Sequence, residues 1–444
     1  MKTAQPAILT CAFLAALPVT TFALGLRVPE QDTRAMSRAN AFVATADNPS
    51  AVFYNPAGIS MLYNGVDLAK HSVSLAPNGK GYVAAEEPSI SSDSGLRSRL
   101  NVMAITLESE FSPKGGGAGF DIKRTAQIVP SSYLTYRAPG SRFTFGFGSY
   151  APYGLGIEWP DNSQFRRQSI SGELMYLTVN PVVAYQVSET FSVAAGATIN
   201  YGRAQLKRGI FDNGGLFRHD KFEFDGEGYA LGWNAGLMWR PTAQHSFGVN
   251  YRSQTDIDFE GDSHVSIPTA NLNIGPRTIK VGGVETRETS DVGIKFPQHI
   301  VFGYSYRPTP KWNLEVNADW TDWDNLNTLF LHQKSGDIAL DFNYQSSWMY
   351  SAGVSYLFDN GLTASAGYMY SENSVPSRSF NPGVPDSNRH IFSTGIGGNY
   401  RGWDWDLAYS WAHGPERTIS QGTLADGTYE FNSHAISLGL GQKF

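Results

Sequence analysis

Apolar and polar residues alternate with a period of two through most of this chain, and this limits what the chain can fold into. From Trp312 the even positions carry Trp, Leu, Val, Ala and Trp, while the odd positions carry Asn, Glu, Asn, Asp and Thr. The segments that begin at Trp348 and Trp403 alternate in the same way. Because successive side chains of a strand point to opposite faces, the pattern predicts strands with one apolar face and one polar face.

A further alternating segment begins at Phe247. Unbroken alternation groups its apolar residues on one face and places Arg252 among the polar residues of the other. The apolar group is Phe247, Val249, Tyr251, Ile257 and Phe259. We expect these five side chains to share the lipid-facing side of one strand.

Composition separates a membrane barrel from a soluble β-protein. Aromatic residues make up 13% of the 444 residues and charged residues only 17%, whereas soluble domains contain about 25% charged residues. No stretch after the N-terminus approaches the ~20 apolar residues of a spanning helix. The apolar faces carry aromatic residues at both ends, as the interfacial girdles of an outer-membrane barrel require. The net charge of −6 gives no reason to expect nucleic acid as a partner.

Short turns divide the chain into hairpins. Each interval between them spans two strands and a longer loop, so six turns predict an all-β, fourteen-stranded antiparallel barrel with its short turns in the periplasm. The six turns are Ala138-Pro139-Gly140-Ser141, Ser188-Glu189-Thr190, Arg240-Pro241-Thr242-Ala243, Arg307-Pro308-Thr309-Pro310, Asp359-Asn360-Gly361 and Arg401-Gly402.

The N-terminus predicts export from the cytoplasm. Lys2 precedes an apolar stretch at residues 7–19 and a small-residue cleavage site at Ala23, so residues 1–23 are predicted to be a signal peptide. The only cysteine, Cys11, lies inside it, which leaves the mature chain without thiol chemistry. An exported alternating chain indicates the outer membrane of a Gram-negative cell, where lipopolysaccharide would surround it. The terminal Phe444 is typical of barrels recognised by the assembly machinery.

Residues 24–65 alternate poorly and are rich in alanine, so the barrel is predicted to occupy residues 66–444. A fourteen-stranded barrel is too wide to be filled by its own side chains, so the segment is predicted to be a plug in the lumen. A disordered periplasmic tail is the alternative. Apolar residues such as Phe42, Val52 and Ile59 argue against disorder.

Several ordered motifs resemble one family. Residues 46–58, with Asn55-Pro56-Ala57, are similar to the N-terminal hatch of the FadL/TodX family of outer-membrane transporters for long-chain fatty acids and other hydrophobic compounds. Similar motifs follow in family order at residues 232–236, 251–261, 296–323 and 375–389. The resemblance covers essentially the whole mature chain and implies a fourteen-stranded barrel, in agreement with the turns.

The resemblance also implies passive transport with a lateral exit. In this family a kink in the third strand leaves a gap through which ligand enters the bilayer. The matching stretch here carries Tyr150, Pro152, Gly154 and Gly156. Proline cannot donate to a strand ladder and glycine tolerates a bend. An ordinary strand end is the alternative interpretation.

Four residues are candidates for ligand binding. The family's arginine on the fifth strand corresponds to Arg203, yet strict alternation puts Arg203 on the lipid-facing phase unless a bulge turns it inward; Arg252 is then the better candidate. Where the fatty-acid transporters carry a lysine, this chain has Phe330, with Lys334 beyond it. Because this chain has an uncharged residue in place of the lysine, an uncharged aromatic hydrocarbon is an alternative ligand.

Two other function classes, a general porin and an outer-membrane hydrolase, are opposed by features of the sequence. A general porin would need an open lumen, which the predicted plug opposes. An outer-membrane hydrolase would need a serine beside a histidine, but Ser433 and His434 are neighbours on a strand and point to opposite faces. We therefore expect a monomeric transporter that is not an enzyme and needs no cofactor or metal.

Overall fold

The protein is described by a computed structural model over residues 26–63, 94–123, 126–211 and 219–444. The predicted signal peptide, residues 1–23, lies outside the described residues, as do residues 66–93 at the predicted start of the barrel. The first described strand begins at Gly95. The domain boundaries after residues 23 and 65 stay predictions.

Strands dominate the described chain, because the alternating segments pair with their neighbours and satisfy each other's backbone groups. In chain order they are β1 (Gly95–Pro113), β2 (Phe120–Asp121), β3 (Ala126–Arg137), β4 (Phe143–Glu158), β5 (Ser171–Gln186), β6 (Phe191–Arg208), β7 (Lys221–Trp239), β8 (His245–Arg252), β9 (Thr255–Ile267), β10 (Ala270–Ile274), β11 (Arg277–Val281), β12 (Val284–Phe296), β13 (His299–Tyr306), β14 (Trp312–Thr321), β15 (Thr328–Gln333), β16 (Ile338–Asp341), β17 (Ser347–Leu357), β18 (Thr363–Ser371), β19 (Arg389–Tyr400), β20 (Trp403–Ile419) and β21 (Gly427–Lys443).

Helices are few and short. They are α1 (Thr33–Met36), α2 (Ala51–Tyr54) and α3 (Gly58–Met61), with 3-10 helices at Trp323–Asn325 and Ser377–Ser379. Within the described ranges no helix is long and apolar enough to cross a membrane.

The strands close into one antiparallel barrel. The last strand, β21, pairs with β1 from Lys443 opposite Arg97 to Gly427 opposite Pro113. Five crossings consist of two successive strands each, namely β2 with β3, β8 with β9, β12 with β13, β14 with β15, and β16 with β17, and the hairpin of β10 and β11 lies outside the crossings. The barrel therefore has fourteen crossings, which confirms the prediction.

All six predicted turns join neighbouring strands at one end of the barrel, called here the short-turn end. They connect β3 to β4, β5 to β6, β7 to β8, β13 to β14, β17 to β18, and β19 to β20. The opposite, long-loop end carries the longer connections. One of them is extended by the hairpin of β10 and β11.

The alternation predicted from Phe247 is broken, and this corrects the single apolar face expected there. Phe247 points outward from β8, but Ile257 and Phe259 of β9 are fully buried inside the barrel. The break after Arg252 shifts the phase by one residue, and a one-residue shift exchanges the two faces of a strand. β12 and β13 change phase beside it, at Pro297. Towards the long loops, the apolar side chains therefore line the lumen.

The short-turn half of the lumen is filled by residues 26–63, called here the hatch. Its apolar residues form one buried cluster with Tyr133, Tyr150, Val182 and Met238 of the wall. The placement is consistent with the plug predicted for residues 24–65.

Candidate functional site

The first residues of the hatch, 26–31, pair with β4 as a short extra strand, called here the strap. Val28 N–H donates to Pro152 O at 2.8 Å, and Gly154 N–H donates to Leu26 O at 2.9 Å. The side-chain amide of Gln31 adds two bonds to Ala151, donating to its carbonyl at 2.8 Å and accepting from its N–H at 3.1 Å. The strap thus supplies hydrogen bonds to a stretch of β4.

Among the described residues, that stretch of β4 has no partner in the wall on the β3 side. β3 and β4 pair only between Ser132 opposite Ser149 and Tyr136 opposite Phe145. Beyond Ser149 the register of β4 with β5 shifts between Tyr150 and Tyr153, as a bulge does. Five consecutive residues, 150–154, are buried there. The four residues predicted to form the gap, Tyr150, Pro152, Gly154 and Gly156, all lie in this unpaired part.

Asn55-Pro56-Ala57 attaches the hatch to the wall. The Asn55 amide donates to Val43 O within the hatch and to Leu237 O of β7, both at 2.9 Å. The hatch approaches the wall so closely that a Cβ atom on Gly236 would lie 2.4 Å from Asn55 Oδ1. Only glycine permits this contact at position 236.

Other inward-facing glycines make the same close approach to the hatch. Their position on the inward phase of the strands is visible in the sequence, but it was not used to predict contacts with the hatch. They are Gly146, Gly148, Gly248, Gly303, Gly353, Gly367 and Gly395.

Buried ion pairs also join the hatch to the wall. Arg99 of β1 bridges Asp32 and Asp406, each at 2.7 Å. The other oxygen of Asp32 accepts from the backbone N–H groups of Arg34 and Ala35 and so caps α1. In the strap, Arg27 contacts Asp319 of β14 through both guanidinium Nη atoms, at 2.7 and 2.8 Å. Removal of one partner of a buried ion pair strongly destabilises a protein. These pairs therefore fix the position of the hatch.

Above the hatch, towards the long loops, the lumen is apolar. A large buried cluster there includes Leu26 of the strap, Tyr153 of β4 and Phe296 of β12. A cavity of about 70 Å³ adjoins it. Apolar residues that line the cavity include Leu26, Met103, Met349, Met369 and Ile391, and charged residues that line it are Arg27, Glu30, Glu372, Asp386 and Arg389. Because the strap forms part of its lining, moving the strap would enlarge it.

Arg252 lies at the boundary between the hatch and this apolar cluster. Its Nη1 donates to Tyr150 Oη at 2.6 Å, and its guanidinium carbon lies 5.1 Å from the ring centre of Phe53. Arg252 is only 5% exposed, and its Nε has no hydrogen-bond partner among the described residues. No carboxylate within the described ranges forms an ion pair with it. A buried cation of this kind is suited to the carboxylate of a ligand.

The other three predicted ligand-binding residues lie away from the lumen. Arg203 points outward, with its side chain 48% exposed, and forms a two-point ion pair with Asp225. The register of β6 with β7 is continuous around it, so the inward bulge that Arg203 would need does not occur. Phe330 faces outward between the inward Leu329 and Leu331.

Lys334 is exposed in the turn between β15 and β16. Phe330 and Lys334 therefore do not extend into the lumen either. The pairing of Arg252 with Tyr150 had no signal in the sequence, since the two residues are 102 positions apart.

Comparison with known proteins identifies the family. A family model described as outer membrane protein transport protein (OMPP1/FadL/TodX) matches residues 14–444. The chain belongs to this family. It is thus a transport protein of the Gram-negative outer membrane and not an enzyme, and the resemblance inferred from the motifs is confirmed.

Individual relatives of the OMPP1/FadL/TodX family are distant in sequence. A long-chain fatty acid transport protein of Escherichia coli O6:H1 is 22% identical over 413 residues, which cover 85% of this chain and 92% of the relative. The crystal structure of a Pseudomonas aeruginosa FadL homologue has a TM-score of 0.75 at 17% identity, covering 95% of this chain and all of that one. The Pseudomonas putida toluene transporter TodX has a TM-score of 0.65 at 16% identity, covering 96% and 100%. The structural likenesses show a shared fold.

Proposed function

We propose that this protein takes up long-chain fatty acids or similar hydrophobic compounds, which bind in the lumen and leave sideways into the bilayer. The observation that carries the proposal is the stretch of β4 at residues 150–157, which pairs with no described residue of β3 and is covered from inside by the strap next to the apolar cluster. Movement of the strap would open a path from the cluster to the lipid. The fatty-acid transport protein of Escherichia coli supports this substrate class.

Such transport needs no energy source. Each buried methylene stabilises the bound ligand by about 0.8 kcal/mol relative to water. An acyl chain therefore moves from the apolar cluster to the membrane interior without loss of apolar burial. The ligand leaves because its concentration in the bilayer is lower, and the protein only supplies the route.

We assign the ligand carboxylate to Arg252 rather than to Arg203. Arg252 is buried at the inner end of the apolar cluster and lacks an acidic partner within the described ranges, whereas the charge of Arg203 is already matched by Asp225. A hydrogen bond to a charged group contributes about 1.5–3 kcal/mol.

An uncharged aromatic hydrocarbon is the second candidate ligand. It is favoured by the cation–π contacts of Arg252, whose charge lies over the rings of Phe53 and Tyr150 and does not require a carboxylate. The fold is shared with the toluene transporter of Pseudomonas putida.

Binding measurements on the purified protein distinguish the two ligand classes. Arg252→Met should weaken binding of a long-chain fatty acid about tenfold or more and leave its methyl ester unaffected, because only the acid offers a charge to the guanidinium. Arg203→Met is the matched control and should change neither affinity. Equal losses for acid and ester would contradict the role of Arg252. Binding of toluene with no binding of the fatty acid would favour the hydrocarbon.

The partners we propose follow from the outer surface. Phe444 directly follows β21 and is half exposed, which suits a signal to the assembly machinery. We propose lipopolysaccharide as a partner because the basic side chains of Arg203 and Lys207 on β6 are exposed and can extend to its phosphates, although they also pair with Asp225 and Glu223. We propose a monomer in the membrane.

A further inference from the structure

Three arginines meet at the short-turn end of the lumen, away from Arg252. Arg38 comes from the hatch, Arg240 follows β7, and Arg307 follows β13. Arg240 Nη2 donates to the carbonyl of Thr45 at 2.8 Å, and Arg38 Nη1 donates to the Thr45 hydroxyl at 3.2 Å. Arg307 comes two residues after Ser305, whose hydroxyl lies 3.5 Å from the Thr45 hydroxyl, so all three arginines belong to segments next to one turn of the hatch.

The carboxylates nearby do not satisfy these arginines. Both oxygens of Glu315 accept hydrogen bonds from the hatch turn, from Ala44 N at 2.9 Å and from Thr45 N at 2.7 Å, and the closest approach of Arg38 to Glu315 is 4.0 Å. Asp47 lies 3.8 Å from Arg34. Asp47 is thus shared with Arg34, and neither Arg240 nor Arg307 forms an ion pair with a carboxylate of the described residues.

Several donors of the cluster are buried without a partner. Nε and Nη2 of both Arg38 and Arg307, and Nε of Arg240, have no hydrogen-bond partner among the described residues. Arg38 is 2% exposed and Arg307 is 7% exposed. A buried donor without a hydrogen-bond partner destabilises the folded protein, and more so when the donor is charged.

The electrostatics agree with this geometry. Burial, together with the neighbouring charge of Arg307, lowers the pKa of Arg240 to about 9. A guanidinium gives up its proton reluctantly. Binding of an anion is therefore a more favourable way to stabilise the buried positive charges than loss of a proton from a guanidinium group.

We propose that Arg38, Arg240 and Arg307 form a binding site for a small oxyanion, a carboxylate or phosphate, at the short-turn end of the lumen. The planar forks of the guanidinium groups match the paired oxygens of such anions. The anion would bridge the hatch, through Arg38, to two turns of the wall. Its binding would hold the hatch in place, independently of whether the transported ligand is a fatty acid.

Two sources offer this chemistry: free phosphate in the periplasm, and the carboxyl end of a ligand that has reached the hatch. Isothermal titration of the full-length protein in a chloride buffer tests both, with inorganic phosphate in one arm and hexanoate in the other. We expect the wild type to bind one equivalent of at least one probe. Phosphate alone would indicate the free anion, and hexanoate, alone or in competition with phosphate, would indicate the ligand carboxylate.

Variants test whether the anion probe binds at Arg38, Arg240 and Arg307. Arg307→Gln should weaken the probe at least tenfold, and Arg307→Lys should recover part of the loss. Arg142→Gln, an exposed arginine in a turn at the same end, is the matched control and should bind like the wild type. If Arg307→Gln does not insert, as shown by its heat-modifiable mobility, the half-buried Arg240→Gln provides the same test. A wild type that binds neither probe, or equal affinities in the wild type and both glutamine variants, would overturn the proposal.

Discussion

At the scale of single residues, the face on which a side chain lies decides its role. Arg203 and Arg252 are both arginines on barrel strands, but Arg203 pairs with an exterior carboxylate and Arg252 is buried beside the hatch. Strict alternation pointed Arg252 into the lumen, but for Arg203 it left two orientations open, the lipid-facing side or, with a bulge, the lumen. It could not predict that Tyr150 and Phe53 surround Arg252, because these residues come from distant parts of the chain.

The inward glycines lead to a prediction about the hatch. Gly236→Val should displace Asn55 and loosen the hatch, because a Cβ at position 236 would lie 2.4 Å from Asn55 Oδ1. We expect a folded barrel with a higher conductance for small ions in planar bilayers. Gly398→Ala, whose Cβ would meet only side chains at 3.2 Å or more, is the control. Equal conductance of the Gly236 variant and the wild type would show that this contact does not hold the hatch.

At the scale of elements, the pairing of the strap with β4 is the feature that links the hatch to the wall. Pro152, Gly154 and Gly156 signalled an irregular strand in the sequence. The strap itself had no signal, because residues 26–31 show no alternation and act as a strand only where β4 leaves its backbone groups unpaired. The turns, by contrast, were predictable, since Pro, Gly and Asn encode them locally.

A reversible cross-link tests whether the strap must move. Arg27 and Tyr153 are opposite each other in an antiparallel bridge, where Cα atoms lie about 4.5–5.5 Å apart, within reach of a disulfide. In a chain with Cys in place of both residues, oxidation should reduce uptake of the hydrophobic ligand and dithiothreitol should restore it. The reduced and oxidised forms both lack the Arg27–Asp319 pair, so a difference in uptake between them is due to the disulfide alone. Equal uptake before and after reduction would show that the strap is not a gate.

Deletion of most of the hatch tests whether the hatch plugs the lumen. Deletion of residues 24–60 should leave a barrel that inserts and leaks small polar solutes, because the strands pair with one another independently of the hatch. Liposome swelling with small sugars measures the leak. A deletion variant that is no more permeable than the wild type would mean that the segment does not close the lumen.

At the scale of the whole molecule, two halves of the lumen have different tasks. The short-turn half holds the hatch through glycine contacts and ion pairs, and the long-loop half is apolar and lined in part by the strap. The strand number followed from the six turns alone. The apolar lumen did not, because the phase changes after Arg252 and at Pro297 exchange inward and outward faces, and local alternation does not reveal a one-residue shift.

The lateral exit is the central claim, and uptake by a variant with a closed wall tests it most directly. Pro152→Val, Gly154→Val and Gly156→Val together should favour strand pairing in the unpaired part of β4. The matched control replaces Phe143, Phe145 and Phe147 of the paired half by Val. In cells that lack their own fatty-acid transporter, we expect the triple variant to insert and bind ligand normally, while uptake falls at least tenfold and the control retains it. Undiminished uptake by the inserted triple variant would contradict the lateral route.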